Sequence, residues 1–199
     1  MDTKKVNPIT SYSIALGVIA LAFLAGITGG CLLSAQGGAA ADSAVSEYLF
    51  SLAQSGFPRP AVRQVLSGTL LYPALCFILG FAIPGIALIP LTVCARGFFL
   101  SYAVASCARV FGGGDGVLFS LALLGIPLLL SLPCLFWLGT HGMMGSMTLL
   151  GSVRKKPVKP IKAKEGFIRF GIVLCALAAA AAVEIYISPV LANLAVQKL

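Results

Sequence analysis

Long uncharged stretches separated by short polar segments form the main pattern of this chain. Residues 6–41 carry no charged side chain, and most of them are apolar. A transmembrane helix takes about 20 such residues, so we predict a first membrane-spanning helix at about residues 14–34. A cleaved signal peptide is the alternative, because the small residues 37–41 follow the apolar run. The length of the run and the spacing of Gly26 and Gly30, which suits helix packing, favour a retained helix.

The region of residues 64–108 decides the number of membrane crossings, because it contains a single charged residue. One helix of that length would extend roughly 67 Å, more than twice the ~30 Å thickness of the hydrocarbon core. Pro84 and Gly85 lie near its midpoint, where a tight helical hairpin places its breakers. The pattern therefore predicts two helices, at residues 65–83 and 86–108, joined by a hairpin at Pro84 and Gly85.

Two further apolar segments complete the pattern, and we predict helices there at residues 117–138 and 167–187. The remaining segments are polar: an outer segment at residues 36–63 and a basic cytoplasmic loop at residues 151–166. The predicted fold class is all-α. It is a polytopic helical membrane protein, with residues 1–199 forming one integral membrane domain of five transmembrane helices.

The composition supports this prediction. Of the residues, 59% are hydrophobic and 10% charged, and the mean hydropathy is +1.01. A soluble domain has about 45–50% apolar and about 25% charged residues, while a disordered chain needs low hydrophobicity. Both classes are therefore excluded, and the lipid bilayer is the expected environment of most of the chain.

The charge distribution predicts the orientation of the helices. The chain has 14 Lys and Arg against 6 Asp and Glu, a formal net charge of +8. Cytoplasmic loops are enriched in Lys and Arg, so Lys4, Lys5 and the loop at residues 151–166 are expected in the cytoplasm. Four helices between them satisfy this expectation and place the carboxyl end outside. The basic residues of the loop are Arg154, Lys155, Lys156, Lys159, Lys162 and Lys164.

An anionic partner is the alternative interpretation of the basic loop. Nucleic-acid binding is not expected, because the basic residues lie between apolar runs rather than along a soluble face. Binding of anionic lipid stays open, since such clusters next to a membrane helix attract it.

The sequence lacks several common catalytic motifs. The zinc-protease, phosphate-binding-loop and serine-hydrolase motifs are missing, and the acidic residues are scattered. The six cysteines occur singly in apolar stretches, without the spacing of a zinc site. We predict no enzymatic activity, no cofactor and no metal site. The lone histidine, His141, is more simply an interfacial polar residue than a proton or metal relay.

Two ionisable residues lie within the predicted membrane helices. Arg96 is almost at the centre of helix three, where insertion costs about 2.5–3.5 kcal/mol and implies a partner. Our hypothesis is that Arg96 faces the bundle interior and pairs with Glu184 of helix five, or with carbonyls released by Pro127 and Pro133 of helix four. Coordination of a transported anion by Arg96 is the alternative.

The helix-breaking residues also allow two interpretations, a structural role or part of a transport pathway. Gly97, Pro127 and Pro133 are predicted to interrupt helices three and four. Broken helices at the midplane mark substrate sites in transporters, but they also occur as structural kinks. Because the sequence shows no inverted repeat, we favour kinks.

Helices two to four have a pattern similar to that of a known family. It consists of the sequences PGIALIP at residues 84–90, ARGFFLSY at 95–102, GVLF at 116–119 and IP at 126–127, followed by Pro133. With its five spans, this pattern resembles the stage II sporulation protein M family.

The chain departs from that family's pattern at a few positions. Arg96 stands where the family often has Lys, and Ser101 where it often has Gly. Leu128 and Leu129 replace the polar residues that usually follow the first proline of helix four. These two leucines count against a polar-site function and leave a packing role intact.

The resemblance implies a bacterial cytoplasmic-membrane protein that acts with exported peptidoglycan hydrolases during engulfment in sporulation. The expected function is a non-enzymatic membrane scaffold that anchors or localises these peptidoglycan-remodelling partners. The alternative is a small-solute permease or channel subunit that uses Arg96 and broken helices. Partner identity, homo-oligomer formation and sporulation of the host stay open at this point.

Overall fold

The computed structural model describes residues 8–36, 62–110, 125–153 and 163–186, together with the single positions 47, 114, 117 and 120. Within them lie five helices and no strand, so the all-α prediction is confirmed. The helices are α1 (Pro8–Gln36), α2 (Val62–Gly80), α3 (Gly85–Val110), α4 (Ile126–Val153) and α5 (Ala163–Tyr186).

Three of these helices are long and apolar enough to cross a membrane. They contain the candidate spans Tyr12–Gln36 in α1, Gly85–Arg109 in α3 and Leu128–Gly151 in α4, as found among the described residues. The apolar parts of α2 and α5, Gly68–Gly80 and Phe170–Tyr186, are shorter. Large apolar side chains are widely exposed on the bundle, as on a surface that faces lipid.

The position of α4 differs from the predicted one. The sequence predicted a helix at residues 117–138, whereas α4 continues to Val153. Beyond the predicted end, α4 includes Gly139, Gly142 and Gly145, and a neighbouring helix packs closely against the last two. Gly142 would bring a Cβ 2.7 Å from the carbonyl oxygen of Cys76, and Gly145 would bring one 2.9 Å from that of Gly80.

The predicted helix breaks also need correction. Gly97 does not interrupt α3, which runs through it, and Pro133 lies inside α4. Pro127 is the second residue of α4, in the first turn, where a proline removes no intrahelical hydrogen bond. Gly97 serves close packing instead, because a Cβ there would lie 2.7 Å from the carbonyl oxygen of Phe23 in α1.

The polar segments are only partly described. The outer segment is described only at its two ends and at Glu47, which is helical and exposed. Because α5 begins at Ala163, Lys164 of the basic loop lies in the first helical turn. The other basic-loop residues lie outside the described residues: Arg154, Lys155, Lys156, Lys159 and Lys162.

The most extensive helix contact joins α1 to α3, which run parallel to each other. Gly26 faces the carbonyl of Cys94, Gly30 faces Phe98 and Ser101, and further along both helices Ser34 Oγ lies 3.4 Å from Ser106 Oγ. A side chain larger than hydrogen at Gly26 or Gly30 would clash with the backbone of α3, so these glycines permit close helix approach. We call this contact the α1–α3 seam.

The turn between α2 and α3 covers residues 81–84, at the predicted hairpin. Ser146 Oγ of α4 lies 2.6 Å from the carbonyl oxygen of Ala82 and 3.1 Å from that of Ile83. The carbonyl of Ala82 also accepts a hydrogen bond of 3.1 Å from the backbone N–H of Gly85. The Ser146 hydroxyl therefore donates to the carbonyl side of the turn and fixes the turn to α4.

Successive helices alternate in direction. Because the turn after α2 is short, α3 returns antiparallel to α2, and α4 is antiparallel to α3, since Ser146 contacts the turn and Ser131 lies beside Arg96. The last helix, α5, is antiparallel to α2, because Phe170 near its start stacks on Phe77 with 4.2 Å between ring centroids.

Two groups of buried side chains hold the bundle together. The larger draws on α1 to α4 and the smaller fixes α5 against α4. The larger group is Ala15, Ile19, Cys76, Ile89, Val93, Leu135 and Met143, and the smaller is Leu138, Val173 and Leu177.

Candidate intramembrane polar site

Arg96 lies close to the midpoint of α3 and points towards α2 and α4. Its guanidinium carbon is 5.0 Å from the centroid of the Tyr72 ring of α2, within the range of a cation–π interaction. Such an interaction gains strength as water is excluded from the two groups, and here both side chains are half-buried. Arg96 therefore faces the bundle interior rather than the lipid.

Glu184 reaches the same region from α5. Its Oε2 atom accepts a hydrogen bond of 3.2 Å from Thr69 Oγ1. Thr69 and Tyr72 are three residues apart on α2 and so lie on one helix face. One face of α2 therefore holds both charged side chains.

Arg96 and Glu184 each contact a residue of α2 rather than each other. Arg96 and Glu184 are close enough to interact electrostatically. Among the described side chains, however, Glu184 bonds to Thr69 and Arg96 packs on Tyr72, with no ion pair between the two. The structure thus brings together the two residues of the hypothesis and inserts a hydroxyl and an aromatic ring that the sequence analysis did not identify.

A small pocket adjoins Arg96, with a volume of about 10 Å³. A volume of about 10–15 Å³ is the minimum that holds one water molecule. Its lining comes from α2, α3 and α4, and consists of Thr69, Tyr72, Pro73, Arg96, Ser131, Leu132 and Leu135.

Ser131 is the third polar residue that sequence reasoning missed. Its side chain is 7% exposed and lines the pocket. A periodicity signal existed for the pair on α2, since Thr69 and Tyr72 are spaced three apart in an apolar helix. No comparable signal marked Ser131, because its relation to Arg96 depends on how α4 packs on α3.

His141 lies elsewhere, between two aromatic rings. Its ring centroid is 5.8 Å from that of Tyr12 in α1 and 5.6 Å from that of Trp137, one turn earlier in α4. Within the described ranges, no group of three His, Cys, Asp or Glu side chains is placed to hold a metal ion. His141 therefore contributes to packing between α1 and α4.

A comparison with protein families matches most of the chain. The sequence model described as Stage II sporulation protein M matches residues 14–189. This range covers most of α1 and all of α2 to α5, and it includes Arg96 and Glu184. No curated protein and no solved structure shows a match to the chain.

Proposed function

This chain belongs to the stage II sporulation protein M family, and from that premise we propose that it is a non-enzymatic scaffold in the bacterial cytoplasmic membrane. Family membership makes it a sporulation-related membrane protein. In the proposed function it anchors or localises exported peptidoglycan hydrolases during engulfment. It supplies no cleavage chemistry of its own.

The scaffold has five membrane crossings in this proposal, with the amino end in the cytoplasm and the carboxyl end outside. The alternating directions of α1 to α5 support five crossings, because each helix reverses the one before it. The concentration of Lys and Arg between α4 and α5 supports the orientation. The outer segment at residues 36–63 then faces the compartment in which peptidoglycan is remodelled.

One observation carries the scaffold proposal: the charged side chains inside the bundle are bound by other residues of the bundle. Arg96 and Glu184 both bind α2, and the pocket beside Arg96 has a volume of about 10 Å³. A small-molecule site usually occupies about 300–1,000 Å³. A solute pathway at Arg96 would require a much larger opening, so the geometry favours a packed bundle that presents surfaces to partners.

The test is site-specific photo-crosslinking in native membranes. A photoreactive residue at Glu47, which is exposed in the outer segment, is expected to capture peptidoglycan hydrolases identified by mass spectrometry and by activity in peptidoglycan-containing gels. The matched control is the same residue at Leu21, which is 68% exposed on α1 and is expected to face lipid. Equal capture at both positions, or no hydrolase at Glu47, would contradict the proposal.

A flux measurement separates the scaffold from the permease. Purified protein in liposomes is expected to leave solute permeability at the level of empty liposomes. Flux that depends on the protein and is abolished by Arg96→Ala would establish the permease function instead.

A further inference from the structure

The guanidinium of Arg96 has more hydrogen-bonding capacity than the bundle uses. An arginine side chain carries five N–H donors. In the described part of the chain its contact is the face of the Tyr72 ring, and the nearby carboxylate of Glu184 is bonded to Thr69. A charged group inside a membrane protein needs acceptors as well as a counter-charge.

Ser131 of α4, which lines the same pocket, also has unused hydrogen-bonding capacity. Its side chain is 7% exposed, and the structure gives its hydroxyl no hydrogen-bond partner among the residues it describes. The buried hydroxyl of Thr140 on the same helix donates to the carbonyl oxygen of Phe136 at 2.7 Å. Since nearly all buried polar groups have a partner, Ser131 indicates a bound polar molecule in the pocket.

Size and charge together define that molecule. The pocket volume of about 10 Å³ fits one water and excludes larger ligands. The positive charge of Arg96 is balanced by the negative charge of Glu184, with which it interacts electrostatically. A neutral molecule that both donates and accepts hydrogen bonds therefore suits the site better than an anion.

We propose that this pocket is a binding site for a single water molecule that joins Arg96 to Thr69 and Ser131. The water accepts a hydrogen bond from the Arg96 guanidinium and donates to Oγ1 of Thr69 and to Oγ of Ser131. Thr69 in turn donates to Glu184. Along the path from Arg96 through the water and Thr69 to Glu184, each donor points from the cation towards the carboxylate, an arrangement in which each hydrogen bond polarises and strengthens the next.

The test is X-ray hydroxyl-radical footprinting of the full chain in lipid nanodiscs, because radicals form at bound water and label adjacent side chains. Leu135 lines the pocket and is 2% exposed, while Leu177 is 1% exposed and lies in the other buried group. A bound water is expected to label Leu135 at least about fivefold faster than Leu177. Equal labelling of the two leucines in the wild-type protein would overturn the proposal.

Two variants localise the effect. Ser131→Val fills the pocket and is expected to lower the labelling of Leu135 about fivefold, to near the level of Leu177. Thr140→Val is the matched control, because it removes a buried hydroxyl whose partner is in its own helix. Unchanged labelling of Leu135 in Ser131→Val would contradict the water site.

An anion exchange distinguishes a bound water from a bound anion. Replacing chloride by gluconate is expected to change neither the labelling of Leu135 nor the melting temperature of the protein in detergent. A melting temperature that depends on chloride would show that the pocket binds an anion and would overturn the assignment of water.

Discussion

At the scale of single residues, the decisive feature is how α2 compensates a buried charge. An arginine at mid-membrane costs about 2.5–3.5 kcal/mol on insertion scales. A cation–π contact contributes about 0.5–2 kcal/mol, depending on how far water is excluded, and Tyr72 supplies one to Arg96 at 5.0 Å between two half-buried side chains. Glu184, held by Thr69, contributes the counter-charge. Arg96 is therefore stable in the bundle only while α2 stays between α3 and α5.

A double-mutant cycle tests this coupling. Arg96→Met and Glu184→Gln are each expected to lower the free energy of unfolding by about 1–3 kcal/mol, because each leaves a charge without its counterpart. The double variant is expected to lose about 1 kcal/mol less than the sum. The measurement is denaturant unfolding in mild detergent. Additive losses would show that the two charges are independent.

A charge swap gives a second measure of the same pair. Arg96→Glu alone places a second negative charge beside Glu184 and is expected to abolish stable expression. Adding Glu184→Arg is expected to restore part of the folded yield, measured by size-exclusion chromatography. The matched control is Arg96→Glu combined with Cys175→Arg, a substitution at an exposed position of α5. Rescue by the control as well would contradict a specific pairing.

At the scale of helices, close backbone contact organises the bundle. The α1–α3 seam places Gly26 and Gly30 against the backbone of α3, while Gly80 of α2 would bring a Cβ 2.8 Å from the Cα atom of Gly142 in α4. In a bilayer, helix association gains from such packing because lipid tails remove the hydrophobic drive between helices. The small residues therefore determine which helices become neighbours.

Enlarging a glycine of the seam tests its importance. Gly26→Leu is expected to lower the free energy of unfolding by about 3 kcal/mol or more, because it overpacks a backbone contact. Gly17→Leu is the control, since a Cβ at that α1 position meets nothing within 4 Å, and a change within about 0.5 kcal/mol is expected. Thermal unfolding in detergent distinguishes them, and equal effects would show that the seam is not tight.

The hydroxyl that holds the turn offers a smaller and sharper test. Ser146→Ala removes the hydroxyl that joins α4 to the turn carbonyls of Ala82 and Ile83, and it is expected to destabilise the protein by about 1 kcal/mol. Thr148→Val on the same helix removes a hydroxyl that bonds to the carbonyl of Met144 in its own helix. Protease cleavage at residues 81–84 is expected to rise in Ser146→Ala alone. A similar rise in both variants would contradict the role of Ser146.

Much of this helical arrangement could be predicted from the sequence. The length of the region 64–108 and its central Pro84 required a turn, and the spacing of Gly26 and Gly30 suggested a packing face. The end of α4 could not be predicted, because Gly142 and Gly145 become compatible with a long helix only once α2 packs against them. The sequence did not identify Ser131 as part of the site for the same reason, since its surroundings depend on the packing of three helices.

At the scale of the whole molecule, the alternating helices give the bundle two distinct ends. One end carries the α2–α3 turn, the end of α4 and the start of α5, next to the basic loop. The other end carries the outer segment at residues 36–63. In the proposed orientation the basic loop faces the cytoplasm and the outer segment faces the opposite side, so the orientation decides which partners each end can meet.

Cysteine accessibility in intact cells tests the orientation. In a background with the six native cysteines replaced, a membrane-impermeant reagent is expected to label Glu47→Cys and to leave Ile83→Cys and Lys159→Cys unlabelled. Disrupting the cells is expected to make the last two reactive, which controls for buried positions. Labelling of Ile83→Cys or Lys159→Cys in intact cells would contradict the proposed crossings.

The bond between Ser34 and Ser106 joins residues 72 positions apart in the sequence. During synthesis α1 therefore enters the membrane long before its main neighbour exists, and α2 is made in between. The contact between α1 and α3 can form only after α3 has been synthesised and inserted. Docking of the first helix is therefore a late step in the biogenesis of this protein. A chain that stops after α2 would leave Gly26 and Gly30 of α1 without the α3 backbone that they pack against.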